Sequence, residues 1–469
     1  MTQTVTLPLW LFVLIVLFAA VTALSHFLLP SVRWFFRRRF EKAVERLNKR
    51  LKRPIQPFKL ARRYDMIQRL IYDPEVSREI ALYAEKNNVP ENVAFQKARE
   101  YAREIVPSFS AFAYFSFAMR VAKVLAESVY RIRTAKQNDE IFAAIPKDST
   151  AIFVMNHRSN MDYVLVAYLA SKTSTLSYAV GEWARVWPLS SLIRLWGAYF
   201  IRRRSRGALY RKVLSRYVQM ATSGGDTQAF YPEGGLSLTG VLQPPKVGLL
   251  SYLVDGFEPE GGRDLVFVPV AINYDRVLED RVLIAAHARG DRRFGARISV
   301  VVAFILRKFW RRLRGHDTRF GTAAVAFGTP LSLREFGKVE DVDGLSQLLM
   351  SRIEAVMPVL AVPLVAAVLR KRGALDASAL ETEVCALLEQ LPPKSIVIDA
   401  SDLSAELAQA CGHMEQHGLI EMQGGTWRIM AGQETATQFY ANSIAHYLPD
   451  GYAVSDAALA KVISAPAGS

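Results

Sequence analysis

The chain opens on an unbroken apolar run. Residues 7–29 hold no Asp, Glu, Lys or Arg over 23 positions. As a helix, at 1.5 Å per residue, that run reaches about 35 Å, enough for a hydrocarbon core of roughly 30 Å. Residues 64–106 then carry apolar and charged positions at three- and four-residue spacing, which predicts helices, with starts marked by Asp73-Pro74 and Val89-Pro90. Residues 111–132 are also helical in pattern. Phe112, Tyr114, Phe115 and Phe117 lie beside Arg120, Lys123 and Arg131, so the segment reads either as an interfacial amphipathic helix or as a core helix. From about 145 the pattern changes to short apolar runs separated by helix-length stretches. Runs at 152–155, 199–201, 229–231, 266–272 and 323–327 predict buried strands, and 161–171 and 207–222 predict helices. That alternation predicts an α/β domain with a mostly parallel sheet. Further on, 404–418 reads as helix and 419–430 as a hairpin around Gly424-Gly425, together a winged-helix-like module.

These patterns divide the chain into a transmembrane anchor (1–32), a basic juxtamembrane segment (33–63), a helical region (64–140), an α/β domain (141–337) and a C-terminal helical and winged-helix-like region (338–469). Charge sets the expected orientation. Residues 33–63 hold thirteen Lys/Arg and two acids, which is +11 of the chain's net +15. Basic residues flank membrane spans on the cytoplasmic side, so the expectation is a single-pass inner-membrane protein with residues 1–6 outside and everything after Arg33 in the cytoplasm. Residues 1–6 carry no Lys or Arg, unlike the charged start of a signal peptide. The basic segment either fixes topology alone or also lies on anionic headgroups of membrane lipid. A nucleic-acid role is disfavoured, because few aromatics interleave with the basic run after Phe40 and the helix of the winged-helix-like module offers Glu406 and Glu415 where Lys or Arg would be needed. Two cysteines, Cys385 and Cys411, make neither a disulfide framework nor a cysteine zinc site, and no ligand-spaced cluster implies a metal or cofactor.

Four polar clusters fall at the ends of expected strands, where open α/β sheets bind ligands. Asn156-His157-Arg158-Ser159-Asn160-Met161-Asp162 follows the first strand. On a strand–turn–helix corner His157 and Asp162 can meet, and a carboxylate on one imidazole nitrogen leaves the other as a general base. The plainer reading is that Asp162 only caps the helix. Gly197 to Arg204 ends in three arginines suited to phosphate, or simply to a solvated basic face. Residues 230–248 include Glu233, Gly234 and Lys246, which could turn into a site or form an ordinary loop. Residues 268–275 read as a buried strand.

The order and spacing of HRSNMDY, GAYFIRR, YPEGGLSLTG with PPKVG, and FVPVAINYD resemble the glycerophospholipid acyltransferase family, and most closely the membrane-bound glycerol-3-phosphate acyltransferases. The resemblance covers roughly residues 70–450, with Tyr72 to Val76, Phe327 to Ser332 and Tyr440 to His446 similar to the flanks of the longer enzymes. It implies acyl transfer from acyl-CoA or acyl-carrier protein to a hydroxyl of glycerol 3-phosphate, or of a lysophospholipid such as lysophosphatidate. His157 would be the base and Asp162 its orienting partner. Arg202 and Arg203 would hold phosphate, Glu233 and Gly234 would shape the pocket, and Lys246 would be a second phosphate contact. Trp183, Trp187, Leu192 and Trp196 would line an acyl groove or simply fill the core. One departure stands out. Where the family usually places arginines after the Glu-Gly pair, this chain has Leu236 and Leu238. Either Arg202, Arg203, Arg204 and Lys246 suffice, or the acceptor is less anionic or larger than glycerol 3-phosphate. A non-catalytic membrane scaffold that kept the fold is the remaining alternative.

Overall fold

In the computed structural model of the chain, the described residues are 8, 10–11, 13–16, 42, 44–49, 51, 53–134, 138–170, 175–181, 189–202, 207–290, 319–337, 339–449 and 452. They fall into two units, Met1–Ile55 and Gln56–Ser469. In the first, residues 10–11, 13–16 and 44–48 are helical. Most of the expected membrane span over 7–29, and much of the basic segment, lie outside the described residues. Among the described residues no helix is long and apolar enough to cross a membrane.

The second unit is organised by one sheet whose strands are short runs of aliphatic residues. The strands are β1 (Arg131–Thr134), β2 (Thr150–Met155), β3 (Ser177–Gly181), β4 (Tyr199–Ile201), β5 (Gln228–Phe230), β6 (Leu265–Tyr274), β7 (Thr322–Phe327) and β8 (Leu331–Ser332). Their spatial order is β1-β7-β6-β2-β5-β3-β4, with β8 also on β6. The pairings β1–β7, β2–β5, β2–β6, β3–β4 and β3–β5 are parallel, whereas β6 meets β7 and β8 antiparallel. The sheet is therefore mostly parallel, as the alternation of strands and helices predicts. Strand β3 has no counterpart among the expected strands, although all five of its residues are buried.

Both sheet faces are covered, which is why β2 and β6 are buried at every position. Side chains alternate between the faces with period two. Ala151, Phe153 and Met155 of β2 enter one core, and Ile152 and Val154 enter the other. The second core is closed by the helices α1 (Arg63–Ile71), α2 (Pro74–Asn87), α3 (Glu91–Ile105) and α6 (Ala208–Ser223). Asp73 caps α2 through Glu75 and Val76 N–H, as Asp73-Pro74 foretells. The first core lies under α4 (Met119–Val129), α5 (Met161–Ala170) and α9 (Ala361–Arg372), and it includes the C-terminal residues up to Ile444.

The segment expected to be one helix over 111–132 is divided. A π-helical stretch, Ala113–Ala118, leads into α4, and the chain leaves the helix at Tyr130 to become β1. Residues 131–134 find hydrogen-bond partners along β7, and that pairing overrides local helix periodicity. Tyr114, Ala118, Ala122 and Ala126 face inward, while Phe112 and Phe117 are exposed. The winged-helix-like expectation maps onto α10 (Leu403–Gln416) and the hairpin β9 (Ile420–Gln423) and β10 (Thr426–Ile429). Gly424 and Gly425 both have positive φ, as a two-residue hairpin turn requires. Glu406 of α10 pairs with Arg133 of β1, so this helix spends its acid on the sheet edge.

Candidate active site

Strand β2 lies between β6 and β5. The loops leaving the carboxyl ends of these three parallel neighbours must converge, and the site is built there. The corner after β2 is fixed first by Asn156. Its side-chain amide donates to Ile272 O at 2.9 Å and accepts from Ile272 N–H at 2.7 Å, which locks the end of β2 to β6. The chain then turns through His157 to Ser159 and enters α5 at Met161.

Asp162, in the first turn of α5, accepts from His157 Nδ1 at 2.9 Å. The same oxygen, Oδ2, accepts from Arg158 N–H at 2.8 Å and Ser159 N–H at 3.0 Å, while Oδ1 accepts from Tyr274 O–H at 2.6 Å. The residue thus caps the turn and also partners the imidazole, so it does more than cap. His157 is 2% exposed and Asp162 0%. Placed on Nδ1, this carboxylate favours the Nδ1–H tautomer of His157, leaving Nε2 as the basic nitrogen.

The imidazole is also held by its ring. Tyr231 stacks on it with centroids 4.0 Å apart and planes 22° apart, and Tyr163 meets it edge-on at 5.5 Å. Burial pushes the Tyr231 and Tyr274 phenols well above their ordinary range, so both stay protonated. Neither tyrosine stood out in the sequence: one reads as part of a strand-to-loop turn, the other as the end of a buried strand.

Glu233 does not turn toward open space. Its Oε1 accepts from His157 N–H at 2.7 Å and its Oε2 from Gln243 N–H at 2.9 Å, and it is 4% exposed. The return bond, Ser237 N–H to His157 O at 3.0 Å, makes the contact between the two loops reciprocal. Gly234 has φ +67°, and a Cβ there would stand 3.0 Å from Lys246 Cδ and 3.3 Å from its Nζ. The glycine thus allows the Lys246 stem to cross the loop next to Glu233. Arg158 runs the other way. Its buried guanidinium donates to Gly240 O and to Ser443 O, so it ties the His157 corner to the glycine loop and to the C-terminal region. Burial lowers its pKa to about 10, still high enough to remain charged at neutral pH.

The expected phosphate contacts fare unequally. Arg202 is at the carboxyl end of β4, where its Nε and Nη2 donate to Glu104 at 2.9 and 2.6 Å and its guanidinium lies against the rings of Tyr101 and Tyr210. Arg203 and Arg204 lie outside the described residues, as do Trp183 and Trp187, and the Leu192 side chain is likewise not described. Leu236 and Leu238 are partly buried against the first core.

The acyltransferase family model matches residues 136–273, and the model of the glycerol-3-phosphate acyltransferase C-terminal region matches residues 306–450. A glycerol-3-phosphate acyltransferase of Pseudomonas fluorescens (strain SBW25) is 31% identical over 291 residues, 61% of this chain and 33% of that protein. One from Pseudoalteromonas atlantica (strain T6c) is 29% identical over 243 residues, 51% of this chain and 29% of that protein. The matched stretch is thus about a third of each relative's length. A solved structure, the 1-acyl-sn-glycerophosphate acyltransferase of Thermotoga maritima, shares 18% identity at a TM-score of 0.32 over 51% of this chain and 75% of that one, too slight a likeness to argue from. The His157–Asp162 corner falls inside the acyltransferase match and the Ser443 contact inside the C-terminal match, so the chain carries an acyltransferase domain followed by a region similar to the C-terminal region of glycerol-3-phosphate acyltransferases.

Proposed function

We propose that the chain transfers a fatty acyl group from a thioester donor, acyl-CoA or acyl-carrier protein, to a hydroxyl of glycerol 3-phosphate. The observation that carries this reading is the buried 2.9 Å contact between His157 Nδ1 and Asp162 Oδ2 at the carboxyl end of a parallel sheet. In the proposed reaction, His157 Nε2 takes the proton from the acceptor hydroxyl as its oxygen attacks the thioester carbonyl. The imidazolium so formed is stabilised by Asp162 and then protonates the departing thiolate. The acceptor oxygen is itself the nucleophile, so no acyl-enzyme is required. Lys246, whose stem lies over Gly234, is the proposed contact for an acceptor phosphate. The reaction is assigned to the cytoplasmic face of a membrane, since the apolar run at 7–29 and the +11 of residues 33–63 favour an anchored protein.

A second reading is supported by two observations. Arg202 is already paired with Glu104, and Leu236 and Leu238 put apolar surface into the loop after Glu233. Both favour a lysophospholipid acceptor over a small polyol phosphate. Purified protein in lipid, given labelled acyl-CoA with each acceptor in turn, separates the two by the labelled product. His157→Ala should reduce transfer by about 10²- to 10⁴-fold. Wild-type rates in that variant would remove the dyad from the chemistry and favour a scaffold.

A further inference from the structure

The His157 corner is held from a third side, by Glu279. This residue precedes helix α7 (Asp280–Ala288) and is 4% exposed. Its Oε2 accepts from Ser159 Oγ–H at 2.8 Å. Its Oε1 accepts from Asn160 Nδ2 at 3.1 Å and from Asn160 N–H at 3.3 Å. The Ser159 hydroxyl in turn accepts from Met161 N–H at 3.1 Å, at the start of α5. The neighbouring Asp280 faces the C-terminal region. Its Oδ2 contacts His417 Nε2 at 2.8 Å and accepts from Tyr440 O–H at 2.6 Å. All three of these side chains are buried.

We propose that Glu279 is a positioning residue for acyl transfer, fixing the His157–Asp162 corner through Ser159 and Asn160, and that Asp280, gripped by His417 and Tyr440, anchors it to the C-terminal region. The physical case is one of closure. Backbone N–H groups of residues 157, 158 and 159 are satisfied by Glu233 and Asp162. Residue 160 has no acceptor of its own in the turn, and Glu279 supplies one. A buried carboxylate is costly to place and is kept only when it accepts several bonds; Glu279 accepts three, all from this one corner. It makes no hydrogen bond to His157 or Asp162, so apart from the like-charge repulsion it shares with Asp162 its effect passes through the backbone that sets their separation. The C-terminal region then serves the reaction without contributing a reacting group.

This inference rests on the acyltransferase reading, and its test is chosen to separate the two. The full chain in lipid is compared with Glu279→Ala, Glu279→Gln, Ser159→Ala and the Ser159→Ala/Glu279→Ala pair. Hydrogen exchange of peptides covering 156–162 needs no substrate. It should speed up in Glu279→Ala and return part-way toward wild type in Glu279→Gln, which keeps the shape and one oxygen. In acyl transfer, Glu279→Ala should lower kcat by about 10- to 100-fold, with each KM within about threefold, because a small misplacement of reacting groups acts on the barrier rather than on binding. The double variant should lose little more than Glu279→Ala alone. Unchanged exchange, or faster exchange with wild-type kcat, would overturn the proposal. Additive losses would overturn it too, as would a fall in yield of folded protein with kcat per folded molecule intact. If the wild-type chain acylates no glycerol acceptor, the functional reading fails while the exchange result still decides whether Glu279 holds the corner.

Discussion

At the scale of single residues, Asp162 is the most heavily committed group, since one carboxylate serves an imidazole, two backbone amides and a phenol. Asp162→Asn replaces an acceptor with a donor in that setting. We expect kcat to fall by about 10²- to 10⁴-fold and stability by about 2 to 4 kcal/mol, read by acyl transfer and by thermal melting. An intact melting temperature with lost activity would mean that the cap tolerates the amide. Glu233 makes a pH prediction. Burial pushes its carboxyl from an ordinary 4.5 up to about 7, against the bonds from Gln243 and His157 N–H. Between those values the folded form keeps a proton that the unfolded chain has released. The group's contribution to stability is therefore complete below about pH 4.5 and is lost as pH rises through about 7. Relative to Glu233→Gln, which never ionises, the wild-type melting temperature should drop across that window and then run parallel. A gap that ignores pH would contradict the assignment.

Elements show which parts of the site were legible in the sequence. The His157 corner was readable because strand, turn residues and capping spacing agree locally. The strands expected at 199–201 and 323–327 were readable because each is a short apolar run before a turn. What escaped notice depends on distant partners. Tyr274 reads as one more buried strand residue until β6 lies beside β2 and brings it to Asp162. Residues 131–134 look helical until β7 offers them a ladder. Arg202 looks available for phosphate until α3 brings Glu104 against it. The loop after β5 gives a test at this scale. Gly240 has φ +83°, and a Cβ there would stand 1.9 Å from Phe439 O at the end of helix α11 (Glu434–Ala441). Gly240→Ala must part the loop from that helix, and it should cost roughly 2 kcal/mol or more, with faster proteolysis near 240. Wild-type melting in that variant would show that the loop and helix separate at little cost.

Across the molecule, the C-terminal region shares the core of the catalytic domain. Residues 361–369 of α9 are all buried, and Leu403, Leu407, Phe439 and Ile444 lie in the same cluster as Phe153 and Val270. Arg158, Asn273 and Thr239 each bond to Asn442 or Ser443. A chain ending at 337 would expose one side of the sheet, and we expect it to be recovered unfolded or aggregated, as judged by circular dichroism and size-exclusion chromatography. A monodisperse, cooperatively melting product would show that residues 56–337 fold alone.

The seclusion of the imidazole carries one more consequence. In the proposed reaction, a base with only 2% of its surface open has little chance of activating a stray solvent molecule. The energy-rich donor should therefore survive long waits for a partner alcohol, and wasteful leakage should be slow beside productive turnover.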